Sequence, residues 1–92
     1  MRYDKNYFIA KFEAIPEDKW CTHTYGKDGH HCALGHCGDS IYVTTSEADS
    51  LDKLLQYKTA FINDGELLDS IDYSNYGDTP KQRILTALRL LP

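Results

Sequence analysis

Any fold of this chain must bury the apolar stripe of its last helix. Ile84, Leu85, Leu88 and Leu91 recur at helical spacing, and the start of the helix is fully signalled. Thr79 is placed to cap it. Pro80 takes the first helical position, where its missing N–H would have no partner anyway, and Gln82 completes a capping box. Four large side chains on one face need a partner surface, and 92 residues must supply it. A chain of this length makes one small domain, here 1–92, which buries roughly 60–65% of the surface its unfolded form exposes.

Two other stretches offer that surface. From Asp4 to Ile15, the residues Tyr7, Phe8, Phe12 and Ile15 form an aromatic-rich face, with Asp4 as N-cap and Pro16 as terminator. From Ser46, a second helix carries Leu51, Leu54, Leu55, the stem of Lys58 and Ile62 to the turn Asn63-Asp64-Gly65. Pro16 to Trp20 reads as a short helical turn. Residues 21–31 read as a loop or short hairpin turning at Lys27-Asp28-Gly29, and His31 to Gly38 as two helical turns stopped by the glycine. The β-branched run Ile41 to Thr45 suits a short strand, although a lone strand leaves its backbone groups unpaired. Residues 59–80 hold five acidic residues and no Lys or Arg; Leu67, Leu68, Ile71, Tyr73 and Tyr76 anchor them as an ordered loop.

These segments predict a mainly α, compact domain of three to four helices. The principal helices cover about 4–15, 46–62 and 80–91, with a short central helix near 31–37 and an extended or hairpin segment. The alternative is α+β, if residues 21–31 and 41–45 pair as strands.

Composition removes several function classes. A net charge of −4 argues against nonspecific nucleic-acid binding. No apolar run is long enough to span a membrane. Met1 to Ala10 is charged throughout, so no export signal is expected, and an odd count of three cysteines fits a reduced, cytoplasmic chain. Homo-oligomerisation stays open.

All three cysteines and all four histidines lie between positions 21 and 37, as Cys21, His23, His30, His31, Cys32, His36 and Cys37. Three kinds of chemistry compete for this cluster. Zinc as cofactor would draw four ligands from Cys21, His23, Cys32 and His36, since Cys32 and His36 share a helix face, but no C-x-x-C pair is present. A cysteine hydrolase would use Cys32 as nucleophile at a helix N-terminus, where amides lower a thiol pKa, with a local histidine oriented by Asn63 or Asp64. In the third reading the chain is not an enzyme. Trp20, Cys32, Leu34 and Gly35 then pack a helix junction, and histidines rim a pocket. The candidate ligand-binding set is Trp20, His30, Cys32, His36, Asn63 and Asp64. Seven tyrosines suit a recognition surface.

Three segments occur in a fixed order: Trp20-Cys21; Gly29-His30-His31-Cys32-Ala33-Leu34-Gly35; and Ile62-Asn63-Asp64 followed by Thr79-Pro80-Lys81-Gln82-Arg83-Ile84-Leu85-Thr86-Ala87-Leu88. In this the chain resembles a family of small uncharacterised proteins encoded by bacteria and their phages, over about residues 15–90. His36 and Cys37 depart from it, standing where members usually carry small or aliphatic residues. The resemblance implies a phage-type accessory or inhibitor protein that sequesters a host protein or a small signal molecule. A nonenzymatic binding module is therefore the expected function, with the zinc module and the Cys32 hydrolase as alternatives. The acidic stretch Asp64 to Asp78 would repel phosphate-rich ligands. A basic surface would form only if the terminal helices packed together and presented Arg2, Lys5, Lys11, Lys81, Arg83 and Arg89.

Overall fold

The helix caps written in the sequence are the ones used in the computed structural model, which describes residues 3–92. In chain order the elements are α1 (Lys5–Glu13), a 3-10 turn (Glu17–Lys19), β1 (Gly26–Lys27), β2 (His30–His31), α2 (Ala33–His36), α3 (Ser46–Leu54), α4 (Thr59–Asp64), β3 (Leu67–Leu68), β4 (Ile71–Asp72), a second 3-10 turn (Tyr73–Tyr76) and α5 (Pro80–Arg89). Asp4 accepts from the Tyr7 N–H at 2.9 Å, and Thr45 and Thr79 accept from Ala48 and Gln82, each at 3.1 Å. Gln82 reaches back one residue further than expected, its Oε1 accepting from the Asp78 N–H at 2.9 Å. With 50% helix against 10% strand, the domain is mainly α.

α5 lies between α1 and α4, and its Ile84 and Leu88 are fully buried with Phe8, Phe12 and Leu51. Phe8 stacks on Phe12, and Phe12 meets the edge of Trp20. Lys5 Nζ donates to the Leu91 carbonyl and Lys81 Nζ to the Glu13 carbonyl, so α1 and α5 run antiparallel. The terminal helices therefore pack together, and among the described residues the basic side chains expected there are engaged within the fold, Lys5 and Lys81 by main-chain carbonyls. Lys11 pairs with Glu47, Arg89 pairs with Glu13, and Arg83 is buried. Arg2 lies outside the described residues.

The helix expected over 46–62 is two helices. Gln56 and Tyr57 sit in the left-handed region, at φ 56° and 62°. The Gln56 N–H donates to the Lys53 carbonyl at 3.1 Å and the Tyr57 N–H to the Asp52 carbonyl at 2.7 Å. That is a Schellman stop built without glycine. Just beyond it, buried Thr59 donates its hydroxyl to Asp52 Oδ1 at 2.6 Å, which ties the start of α4 to the end of α3. Gly38 (φ 96°) and Gly65 (φ 68°) end α2 and α4 by the same pair of bonds, as the turn signals at both places predict.

Both hairpins turn on two residues of positive φ: Asp28 and Gly29 in the first, Asp69 and Ser70 in the second. Such turns match the twist of the strands, and Asp tolerates this region through its short polar side chain. The first hairpin lies within residues 21–31, which the sequence marks as a loop or short hairpin. The second replaces what reads as acidic loop, and there Leu67 and Ile71 are exposed rather than anchoring; Tyr73 is the buried anchor. Ile41 to Val43 form no strand. Ser40 and Val43 exchange backbone hydrogen bonds, and Ile41 and Tyr42 project at 78% and 88% exposure.

The helix break makes a stability test. Gln56→Gly removes a side chain from a left-handed position and should stabilise by about 1 kcal/mol, raising Tm by roughly 4–8 °C in a domain of this size. Gly65→Ala should act in the opposite sense, because its Cβ would lie 3.0 Å from Arg83 Nε in a left-handed backbone. Thermal melts of both variants check the pair, and a neutral or destabilising Gln56→Gly would show that the stop carries no strain.

Candidate functional site

The site is built around a gap in a backbone ladder. Trp20 lies beside His31 in parallel register, and the Cys21 N–H donates to the His31 carbonyl at 3.1 Å. The next rung would run from the Ala33 N–H to the Cys21 carbonyl. Asn63 fills it. Its Oδ1 accepts from the Ala33 N–H at 3.0 Å, and its Nδ2 donates to the Cys21 carbonyl at 3.0 Å. One primary amide thus stands in for a peptide group where two segments diverge, at 1% exposure.

Arg83 fixes Asn63 from behind. Its Nε and Nη2 donate to the Asn63 carbonyl at 3.1 and 2.8 Å, and Nη1 donates to the Gly77 carbonyl at 3.2 Å. The carbonyl lies at the C-terminal end of α4, where a cation is favoured. On the other side of Asn63, Asp64 Oδ1 accepts from Asn63 Nδ2 at 2.9 Å and from the His23 N–H at 3.1 Å. Asp64 Oδ2 lies 3.2 Å from His23 Nδ1. The Asp64 side chain is only 10% exposed.

In front of these groups opens a cleft of about 420 Å³. His23, Thr24 and Tyr25 form one wall, Leu34, Ile41 and Ala60 supply apolar surface, and Cys32, Asn63 and Asp64 complete the lining. Gly35 lets this wall form, because a Cβ there would fall 1.8 Å from the Tyr25 carbonyl oxygen. His31 Nδ1, at 3.1 Å from the same oxygen, pins it from the hairpin.

Of the six residues expected to bind ligand, the structure brings Cys32, Asn63 and Asp64 to the cleft. Trp20 is buried in the core, with the ring of His36 4.8 Å from its own. His36 Nε2 donates to the Lys19 carbonyl at 2.9 Å, and burial lowers its pKa to about 4, so the ring is neutral. His30 is half-buried in β2, outside the cleft lining. Tyr25, Leu34, Ile41 and Ala60 are lining residues that sequence reasoning did not select as ligand contacts; they come from four separate segments and share no local signal.

The cysteine chemistry is also placed. Cys32 caps α2, its Sγ accepting from the Gly35 N–H at 3.4 Å. Burial pushes its thiol pKa up, outweighing the N–H groups of Gly35 and Leu34, and a one-turn helix adds little dipole. The lowered pKa expected of a nucleophile is absent. Burial, and then the Glu47 carboxylate, push the Cys37 thiol up further still.

Nor are Cys21, His23, Cys32 and His36 gathered as metal ligands. Among the described residues the one set with converging donor atoms is His23, Asp64 and Glu66, all within 4.8 Å of one another. It shares a single member with the expected four, because His36 is turned to Trp20 and the Lys19 carbonyl. Chelation should therefore leave the fold intact. Treatment with EDTA is expected to change Tm by less than about 2 °C, whereas a structural metal would carry much of the folding free energy.

His36 generates a pH prediction. Its folded pKa of about 4 lies below the ordinary 6.5, so between these values the unfolded chain binds a proton that the folded chain refuses. Stability present above pH 6.5 should be lost as the pH falls toward 4, by on the order of 2–3 kcal/mol. His36→Gln keeps a donor for the Lys19 carbonyl and should flatten this part of the profile. Urea titrations of both proteins at pH 7, 5.5 and 4 measure it; parallel profiles would show that folded His36 accepts the proton freely.

Set beside known protein families, curated proteins and solved structures, the chain matches none of them.

Proposed function

We propose that this chain is a nonenzymatic binding module whose cleft takes a small molecule with an apolar body and a cationic or hydrogen-bond-donating head. The observation that carries the reading is the placement of Asp64. Its carboxylate stands at the polar end of a cleft with apolar walls, oriented by the Asn63 amide and the His23 N–H. The volume falls within the usual span for small-molecule sites. Asp64 also sits at the C-terminal end of α4, where the helix dipole disfavours an anion, and no Lys or Arg among the described residues pairs with it. A ligand cation would relieve both effects.

The same charge disfavours phosphates, so within the sequestering role that the family resemblance implies, an amine fits better than a nucleotide signal. A raised Cys32 thiol pKa supports binding over hydrolysis. No helix among the described residues is long and apolar enough to cross a membrane.

The test uses 2-phenylethylamine, with phenylacetate and adenosine monophosphate as anionic counterparts. The amine at 100 times its Kd should stabilise by about 2.7 kcal/mol and raise Tm by several degrees. Asp64→Asn keeps the Oδ1 acceptor and should abolish that shift. Stabilisation by either anion, or an amine shift that survives Asp64→Asn, would overturn the reading.

A further inference from the structure

The parallel register that positions Asn63 also places two thiols on neighbouring segments. Trp20 and His31 form a single parallel bridge, and Cys21 and Cys32 are the next residues along the two segments. Residues that follow a parallel bridge at matching positions project to the same side of the two segments. A disulfide needs a Cα separation of roughly 4.4–6.8 Å. Cys32 has extended backbone, φ −77° and ψ 177°, immediately before α2. Asn63 bonds both flanks of the pair, at the Cys21 carbonyl and at the Ala33 N–H, and so holds the two segments together. Both cysteines are free and half-buried, and Cys21 and Asp64 each bear electrostatically on Cys32.

We propose that Cys21 and Cys32 are a modification site that closes to an intramolecular disulfide when a small disulfide oxidant is present. One thiolate attacks a sulfur of the oxidant, forming a mixed disulfide and releasing one small thiolate. The other protein thiolate then attacks the protein sulfur of that adduct, closes the Cys21–Cys32 bond and releases the second small thiolate. The protein loses two hydrogens, and the oxidant is reduced to two thiols. The bond costs Cys21 its contact with the Thr24 carbonyl and changes the capping sulfur on the Gly35 N–H. It also locks the segment that leads into His23, Thr24 and Tyr25, one wall of the cleft, to the N-terminus of α2. Cys37 takes no part, being buried at the C-terminal end of α2 beside Glu47.

Burial raises both thiol pKa values, so reaction is slow at neutral pH and should accelerate up to about tenfold per unit between pH 7 and 9. The experiment incubates the folded full chain with oxidised glutathione at pH 8.5, then alkylates it and maps it without reduction. The expected product is a monomer two hydrogens lighter, with a Cys21–Cys32 cross-linked peptide and at least tenfold less alkylation at both positions. Cys37 should react only in denaturant, and Cys37→Ser should oxidise like the wild type. A bond to Cys37, a stable glutathione adduct at either cysteine, or an intermolecular dimer would overturn the proposal. These readouts involve no amine ligand, so they are independent of the binding reading.

Discussion

Asn63 sits where three chain segments meet, and both of its polar ends are committed. The side-chain amide joins the Cys21 carbonyl to the Ala33 N–H, and the main-chain carbonyl accepts twice from Arg83. Buried polar groups are expensive unless satisfied, so this arrangement permits little slack. Shift α4 along its axis and the ladder between residues 21 and 33 loses its rung. Shift α5 and the guanidinium loses its acceptor. The hairpin, α2, α4 and α5 are thereby fixed relative to one another by directional bonds, while the Phe8, Phe12, Leu51 and Leu88 core supplies the nondirectional part.

Two opposite charges meet the same end of α4 in different ways. Arg83 is buried without a carboxylate partner among the described residues, and three carbonyl bonds with the helix dipole compensate it. Asp64 faces the cleft against that dipole. Its carboxylate accepts from the Asn63 amide and the His23 N–H and lies 3.2 Å from His23 Nδ1. That leaves one carboxylate at the polar end of the cleft, beside the exposed ring of His23.

Local signals in the sequence located the elements well. Asp4, Thr79 and Pro80 placed α1 and α5, Gly38 and Gly65 placed two helix ends, and Asp28-Gly29 placed the first hairpin. The failures share one cause. Gln56 and Tyr57 adopt left-handed backbone at a helix stop without glycine, beside the tie from Thr59 to Asp52, and Asp69-Ser70 turns a hairpin with no glycine to announce it. Of the site, Cys32, Asn63 and Asp64 were legible because each stands beside a helix terminus that the sequence marks. Trp20, His30 and His36 lie outside the cleft lining because residues close to Cys32 in sequence diverge from it in space. The role of Arg83 was invisible, since a cation on an otherwise amphipathic helix reads as surface until its acceptors, twenty and six residues away, are known.

The guanidinium also binds two glycines into its fate. A Cβ at Gly65 would lie 3.0–3.2 Å from Arg83 Nε, Cζ and Cδ, and one at Gly77 would press on Gln82 and the Arg83 main chain. Lysine could not reproduce the fork that spans the Asn63 and Gly77 carbonyls. Positions 65 and 77 are therefore held to glycine by different neighbours, the Arg83 side chain in one case and the Gln82–Arg83 main chain and the Gln82 Cβ in the other. A side chain at position 65 would need the guanidinium to withdraw, whereas one at position 77 would need the first turn of α5 to move away.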